Sequence, residues 1–231
     1  MLMMVGSVAA NRRGRFLALV AIALAFGTGA PADFAAAQET EKLTGQSLVQ
    51  ALRGGGYNVY FRHAATDWSA GDNVAAPGDW ESCDPKRMRQ LSAAGRETAR
   101  QVGQAMRALK IPVSRVFASP YCRTVDTARA LGLGAVETTT DVMNLLVAQF
   151  FGGESAITAH TRRRLSTPPP VGANNVFVAH GNVIRAATGE YPAEAEAIVF
   201  RPDGGGFSVR GRVPPKEWMR LAASLPEPRK K

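Results

Sequence analysis

The chain has 231 residues, 45% of them apolar and 20% charged, and carries 28 Lys and Arg against 19 Asp and Glu. That is ample for one domain with a sizeable core, and it excludes a collagen, a disordered tail and a disulfide-dense mini-scaffold; only one long apolar run exists, which excludes a polytopic membrane protein. A surplus of nine positive charges favours anionic partners in general, without saying which.

The first segment reads as a targeting signal. Arg12, Arg13 and Arg15 make a positive n-region, Phe16–Phe26 is an apolar run too short to span a bilayer comfortably, and Ala35-Ala36-Ala37 before Gln38 is a small-x-small cleavage pattern. The expectation is a cleaved signal peptide over residues 1–37 and one domain over residues 38–231. The product would be periplasmic or secreted, with no stable membrane insertion after cleavage. Arg12-Arg13 raises twin-arginine export, but its neighbours fit that signal poorly. In an oxidising compartment Cys83 and Cys122 are a candidate disulfide, worth about 4 kcal/mol on a chain-entropy argument. The alternative is two buried free thiols. Two cysteines and three histidines give a structural zinc site no support, and no metal is expected.

Beyond the signal, short apolar runs alternate with helical periodicity. Leu43–Leu52 reads as a helix stopped by Gly54-Gly55-Gly56, and Tyr57–Phe61 as a strand. Ser92 can cap a helix running to Leu109, which Pro112 ends. Arg115–Ala118 is the next strand, and Ser119-Pro120 reads as an N-cap followed by Pro at the first helical position, opening a helix to Leu131. Val136 lies on a short strand, Glu154–Leu165 is helical, Asn175–Ala179 is a buried strand, and a short helix starts at Gly181. Ala197–Arg201 and Phe207–Arg210 flank a Pro-Asp-Gly turn and read as a hairpin. This alternation predicts an α/β fold: a three-layer α/β/α sandwich with a mostly parallel sheet and helices on both faces.

In such sheets ligands bind outside the carboxyl ends of the strands. The residues just past those ends are Arg62-His63, Ser119-Pro120-Tyr121-Cys122-Arg123 and His180-Gly181. Two arginines and two histidines thus converge on one edge. Guanidinium grips phosphate oxygens in a fork and stays charged, a helix start adds N–H donors, and neutral imidazole is a competent nucleophile on phosphorus near neutral pH. Phosphoryl transfer needs mainly positioning and charge neutralisation, which this set supplies without a metal.

The ordered pieces Arg62-His63-Ala64, Ser119-Pro120-Tyr121-Cys122-Arg123-Thr124 and Ala179-His180-Gly181, with Leu91-Ser92-Ala93-Ala94-Gly95-Arg96 before the first long helix, resemble the histidine phosphatase superfamily, the phosphoglycerate-mutase-like branch. The resemblance runs from about Tyr57 to Arg212. It implies that His63 is the nucleophile, forming a phosphohistidine that water hydrolyses. Arg62, Arg123 and His180 would hold the phosphoryl oxygens. It implies no cofactor and a small phosphorylated substrate. Ala64 stands where many members have Gly, and Thr66 could line the pocket. The family's proton donor has no obvious counterpart, because Gly181-Asn182 follow the second histidine where one branch carries Asp. Glu196 and Asp67 lead as candidates on closeness to the strand edge, with Glu154 behind them. Lacking a dedicated acid would favour substrates with good leaving groups.

The expectation is an exported phosphomonoester hydrolase. Its rivals are a phosphomutase and a non-catalytic phosphate- or polyanion-binding module of the same fold. Nucleic acid is not expected as a partner, since aromatics are only 7% and no basic-aromatic stripe exists. His160 reads as a solvated helix residue and Arg162–Arg164 as a solvated face. Trp68 and Trp80 flank a Gly/Asp/Pro-rich insert, Gly71–Asp79, read either as local packing or as a lid over the pocket.

Overall fold

Side chains along the strand Asn58–Arg62 (β1) alternate between two faces, and both faces are buried. Val59 and Phe61 join one apolar cluster and Tyr60 the other. A strand buried on both sides needs a covering layer on each. The computed structural model describes residues 42–225; the signal-peptide reading lies outside the described residues.

The remaining strands are Val113–Ala118 (β2), Val136–Thr138 (β3), Asn174–Ala179 (β4), Ala197–Pro202 (β5) and Phe207–Val213 (β6). They form one mixed sheet in the order β3-β2-β4-β1-β5-β6. The pairs β3–β2, β2–β4 and β4–β1 are parallel; β1–β5 and the β5–β6 hairpin are antiparallel. One face is covered by Gly45–Gly54 (α1), Ala93–Ala108 (α2) and Cys122–Leu131 (α3). On the opposite face lie Glu154–Ser166 (α4) and Gly181–Thr188 (α5). A last helix, Pro215–Ala223 (α6), which periodicity did not reveal, returns to the first face and buries Trp218 and Leu221 there. The α/β architecture with helices on both faces is therefore as expected, and β5 and β6 are its antiparallel minority.

Two local features set the site. Ser92 caps α2 through the Gly95 N–H at 3.0 Å and donates its own hydroxyl to the Ala65 carbonyl at 2.9 Å. A Cβ on Gly95 would come within 2.0 Å of that same carbonyl, so only glycine lets α2 sit on the backbone beyond β1. The second feature corrects the sequence reading. The helix after β2 begins at Cys122 with Tyr121 as N-cap, two residues later than the Ser119-Pro120 start. Ser119 cannot cap, because its hydroxyl meets His180 Nε2 at 2.9 Å and its carbonyl accepts from Thr124 Oγ1 at 2.6 Å.

Candidate active site

The register of the sheet places the residues that follow its strands. Arg62, the last residue of β1, pairs with Ala179, the last of β4, and Ala118 of β2 pairs with Val178. The next residues along each chain, His63, His180 and Ser119, therefore meet at one edge. The imidazole centroids of His63 and His180 are 5.7 Å apart. Both rings are buried.

Their hydrogen-bond partners make the two histidines different. His63 Nδ1 lies 2.9 Å from the Ala64 carbonyl, which can only accept. The neutral ring thus carries its proton on Nδ1 and keeps a free lone pair on Nε2. Burial first, then the charge of Arg123, pushes the His63 pKa down to about 3, against the opposing pull of the Ala64 bond. For His180 the partners reverse the tautomer. The Asn144 side chain accepts at Oδ1 from the Leu146 N–H and from Asn182 Nδ2, which leaves its Nδ2 to donate to His180 Nδ1 at 3.2 Å. His180 Nε2 therefore holds the proton and donates to Ser119 Oγ. Burial and the Arg123 charge hold His180 well below the ordinary imidazole range. The His180 backbone is fixed as well: its N–H donates to the Tyr60 hydroxyl at 3.1 Å, and that hydroxyl donates to the His180 carbonyl at 2.8 Å.

The cations come from three places. Arg123, in the first turn of α3, is 1% exposed, and its guanidinium lies 4.5 Å from the Tyr121 ring centroid. Both of its terminal nitrogens donate to the Asp72 carboxylate at 2.9 Å, a two-pronged pair. Arg62 donates to the Pro192 carbonyl at 3.3 Å and lies 3.9 Å from Glu194. Arg89, which the sequence reading did not single out, lies 3.8 Å above the Trp68 ring, and its backbone N–H donates to Asp72 at 3.1 Å. The buried Nε atoms of Arg89 and Arg123 have no protein partner. Three guanidinium groups near two neutral imidazoles, with donors to spare, form a trap for a tetrahedral anion.

The insert supplies part of this. Asp72 belongs to it, and the Trp80 end is anchored: Trp80 packs on Phe150 and Phe151, and Cys83 is disulfide-bonded to Cys122, the first residue of α3. The candidate disulfide thus joins the insert to the residue before Arg123.

The carboxylates sort clearly. Glu196 is gripped at both oxygens by Arg212 (2.9 and 3.0 Å) and by the Ala193 N–H at 2.6 Å. Burial pushes its pKa up, but those bonds outweigh it and hold the group below its usual range, ionised and turned to Arg212. Asp67 is exposed and accepts from the Ser69 N–H at 2.9 Å, which lowers its pKa. Glu154 is exposed at the start of α4. The side chains of these three have no contact with the cluster; Glu196 reaches it only through its backbone carbonyl, which accepts from the Arg62 N–H at 3.3 Å. Glu194 was missed. One of its oxygens is buried without a hydrogen-bond partner beside Arg62, and its charge reaches Arg89. It is held there by Ala195, whose φ of 58° is strained for a non-glycine and whose N–H donates to the carbonyls of both Arg62 and His63. The sequence signal was available only in hindsight: two glutamates flank that alanine, and parity along β5 says nothing about a residue outside the strand. Thr66 is buried, pairs with Leu91 in an isolated bridge, and its hydroxyl has no partner. His160 is half-exposed, 3.3 Å from Asp141; in the basic run Arg162 and Arg163 are exposed as expected, Arg162 also donating to the Ala187 carbonyl, while Arg164 is half-buried and pairs with Asp141.

Compared with known proteins, residues 59–164 match the family model described as the histidine phosphatase superfamily, branch 1. Among solved structures the chain is similar to the protein histidine phosphatase SixA complexed with tungstate, at 14% identity, covering 69% of this chain and 97% of that one, with a TM-score of 0.47. It is also similar to a mycobacterial glucosyl-3-phosphoglycerate phosphatase, at 17% identity, 68% and 96% coverage and a TM-score of 0.47. A third is a phosphoserine phosphatase variant from Entamoeba histolytica with phosphoserine, at 11% identity, 70% and 98% coverage and a TM-score of 0.47. No curated protein matches the chain.

Proposed function

We propose that this chain, which belongs to the histidine phosphatase superfamily, hydrolyses phosphomonoesters outside the cytoplasm through a phosphohistidine at His63. Superfamily membership supports a phosphatase. The observation that carries the finer reading is the Ala64 carbonyl on His63 Nδ1, which leaves Nε2 unprotonated inside a cluster of three arginines. In the first step the substrate monoanion passes its proton to the Glu194 carboxylate, Nε2 attacks phosphorus, the P–O ester bond breaks, and the leaving oxygen takes that proton from Glu194. Arg62, Arg89 and Arg123 neutralise the charge spread over the phosphoryl oxygens, and His180 donates from Nε2 once an oxygen competes with Ser119. In the second step water attacks phosphorus, the P–N bond breaks, and Glu194 takes the proton from that water. Inorganic phosphate leaves with that proton, and both residues return to their starting states. The N-terminal run over residues 1–37 supports export.

The test uses the chain from Gln38 with para-nitrophenyl phosphate and excess EDTA. Turnover is expected to persist in EDTA and to drop by on the order of 10³-fold or more in His63→Ala, with the thermal transition retained. Unchanged turnover in that variant overturns the nucleophile assignment; loss of turnover in EDTA alone overturns the metal-independent reaction.

A further inference from the structure

We propose that the leaving group this site accepts is apolar, a hydrocarbon chain or an aromatic ring, seated on a rim formed by Trp68, Leu146 and Tyr191. The inference rests on the phosphatase reading above for the phosphate end and adds what lies at the other end of the ester.

Among the described residues four large apolar side chains stand well exposed: Trp68, Leu146, Val171 and Tyr191. Single exposed apolar residues need no explanation, but clustering does. Val171 lies in the turn before β4, at the amino end of the sheet. The other three each stand one contact from the phosphate-binding cluster. Trp68 covers the Arg89 guanidinium with one ring face and is 68% exposed. Leu146 is tied to His180 through Asn144, which accepts from the Leu146 N–H and donates to the imidazole. Tyr191 lies 5.4 Å from the Arg62 guanidinium and packs so closely on Gly181 that a Cβ there would come within 2.7 Å of its ring.

Trp68 and Leu146, moreover, line one cavity of about 420 Å³ together with Ser69, Asp72 and Arg89. Asp72 is the residue seated on Arg123, so this cavity borders the arginine cluster. Its one carboxylate is already engaged, and its cation faces an aromatic ring. A chain or ring would cover the exposed faces of Trp68 and Leu146, which a sugar or amino-acid leaving group would leave in water. Each buried methylene contributes about fourfold when fully removed from water and about twofold against an open rim.

Alkylphosphonates from ethyl to hexyl are the probe, because their P–C bond is not cleaved and the head group is constant. Calorimetric titration of the chain from Gln38 is expected to give about twofold tighter binding per methylene, roughly 15-fold across the series. In the double variant Trp68→Ala, Leu146→Ala the series is expected to flatten to within threefold. Equal affinity across the series in the unaltered protein, with para-nitrophenyl phosphate still turned over, overturns the apolar rim and leaves the phosphatase intact. A slope that survives the double variant also overturns it, since the chain then binds elsewhere. Absence of both phosphonate binding and turnover overturns the phosphatase reading and this inference together.

Discussion

The strand ends and the insert between Thr66 and Leu91 build one site by different means. At the strand ends, position follows from the sheet: pairing of β4 with β1 on one side and β2 on the other fixes where His63, His180 and Ser119 must lie, and backbone hydrogen bonds do the holding. The insert has no ladder. Beyond the single bridge at Thr66 and Leu91, it is located by the Cys83–Cys122 disulfide, by the Asp72–Arg123 pair and by Trp80 in its aromatic seat. The strand ends should therefore respond to changes in chemistry, and the insert to changes in its few anchors.

The largest effect is expected from the insert's covalent anchor. Replacing Cys83 and Cys122 together by Ser is expected to lower unfolding stability by about 4 kcal/mol, the chain entropy of a loop closed across a separation of 39 residues. Denaturant titration measures it. A loss below about 1 kcal/mol would mean that the insert stays ordered without the bond, and the contrast between the two regions would collapse.

Next comes a strand-end change. Glu194→Gln is expected to slow hydrolysis of alkyl phosphates by about 10²-fold, the usual worth of a positioned acid. In kcat/KM, which ends with release of the alcohol and leaves out the water step, esters with strongly acidic leaving groups should be nearly unaffected, because their oxygen departs without a proton. A uniform loss over the whole series would instead assign Glu194 to holding Arg62, from which it is 3.9 Å away.

Much of the strand-end half was legible in the sequence, and the reasons are physical. Strands buried on both faces give short continuous apolar runs, and polar residues at their ends can only mark where the sheet stops. Arg62, His63, Arg123 and His180 follow from that rule. Asp72 and Arg89 do not, because a long insert carries no period and its partners are set by tertiary contacts alone. The Glu196 expectation failed for a related reason: adjacency to β5 placed its backbone beside Arg62, but its side chain had a nearer and stronger partner in Arg212, on β6. Helix α6 escaped because Pro214-Pro215 reads as a loop until Trp218 and Leu221 are seen in the core.

Acid should sharpen the strand-end side of the contrast. His63 is buried neutral with its pKa down to about 3, below the unfolded value near 6.5. Between those values the unfolded chain binds a proton that the folded one does not, so stability is lost as pH falls through that window. From pH 6.5 to pH 5 the His63 share is about 2 kcal/mol. His63→Asn should flatten the fall in Tm over that range relative to the unaltered chain. The same depression predicts that kcat/KM keeps no inflection near pH 6.5 from this nucleophile, since Nε2 is unprotonated throughout.

The smallest expected effect addresses whether the insert helps or hinders anion binding. Asp72 holds both terminal nitrogens of Arg123 in the geometry a pair of phosphoryl oxygens would take, and the two side chains are 7% and 1% exposed. An incoming phosphate must displace that carboxylate or share the guanidinium with it. If it displaces it, Asp72→Asn removes a competing anion, and vanadate is expected to bind about tenfold tighter, a gain of about 1.4 kcal/mol. The ligand-free variant should at the same time be less stable, because Arg123 is left buried without a counter-charge, and vanadate should restore that stability. The Tm rise on adding vanadate would then exceed that of the unaltered chain by more than the affinity change alone gives. Weaker vanadate binding in Asp72→Asn would reverse the conclusion: the carboxylate would then aim Arg123 at the ligand while other donors, the free Nε atoms of Arg123 and Arg89 among them, receive the oxygens. Either result ranks the insert against the strand ends, as an obstacle that substrate displaces or as the wall that completes the trap.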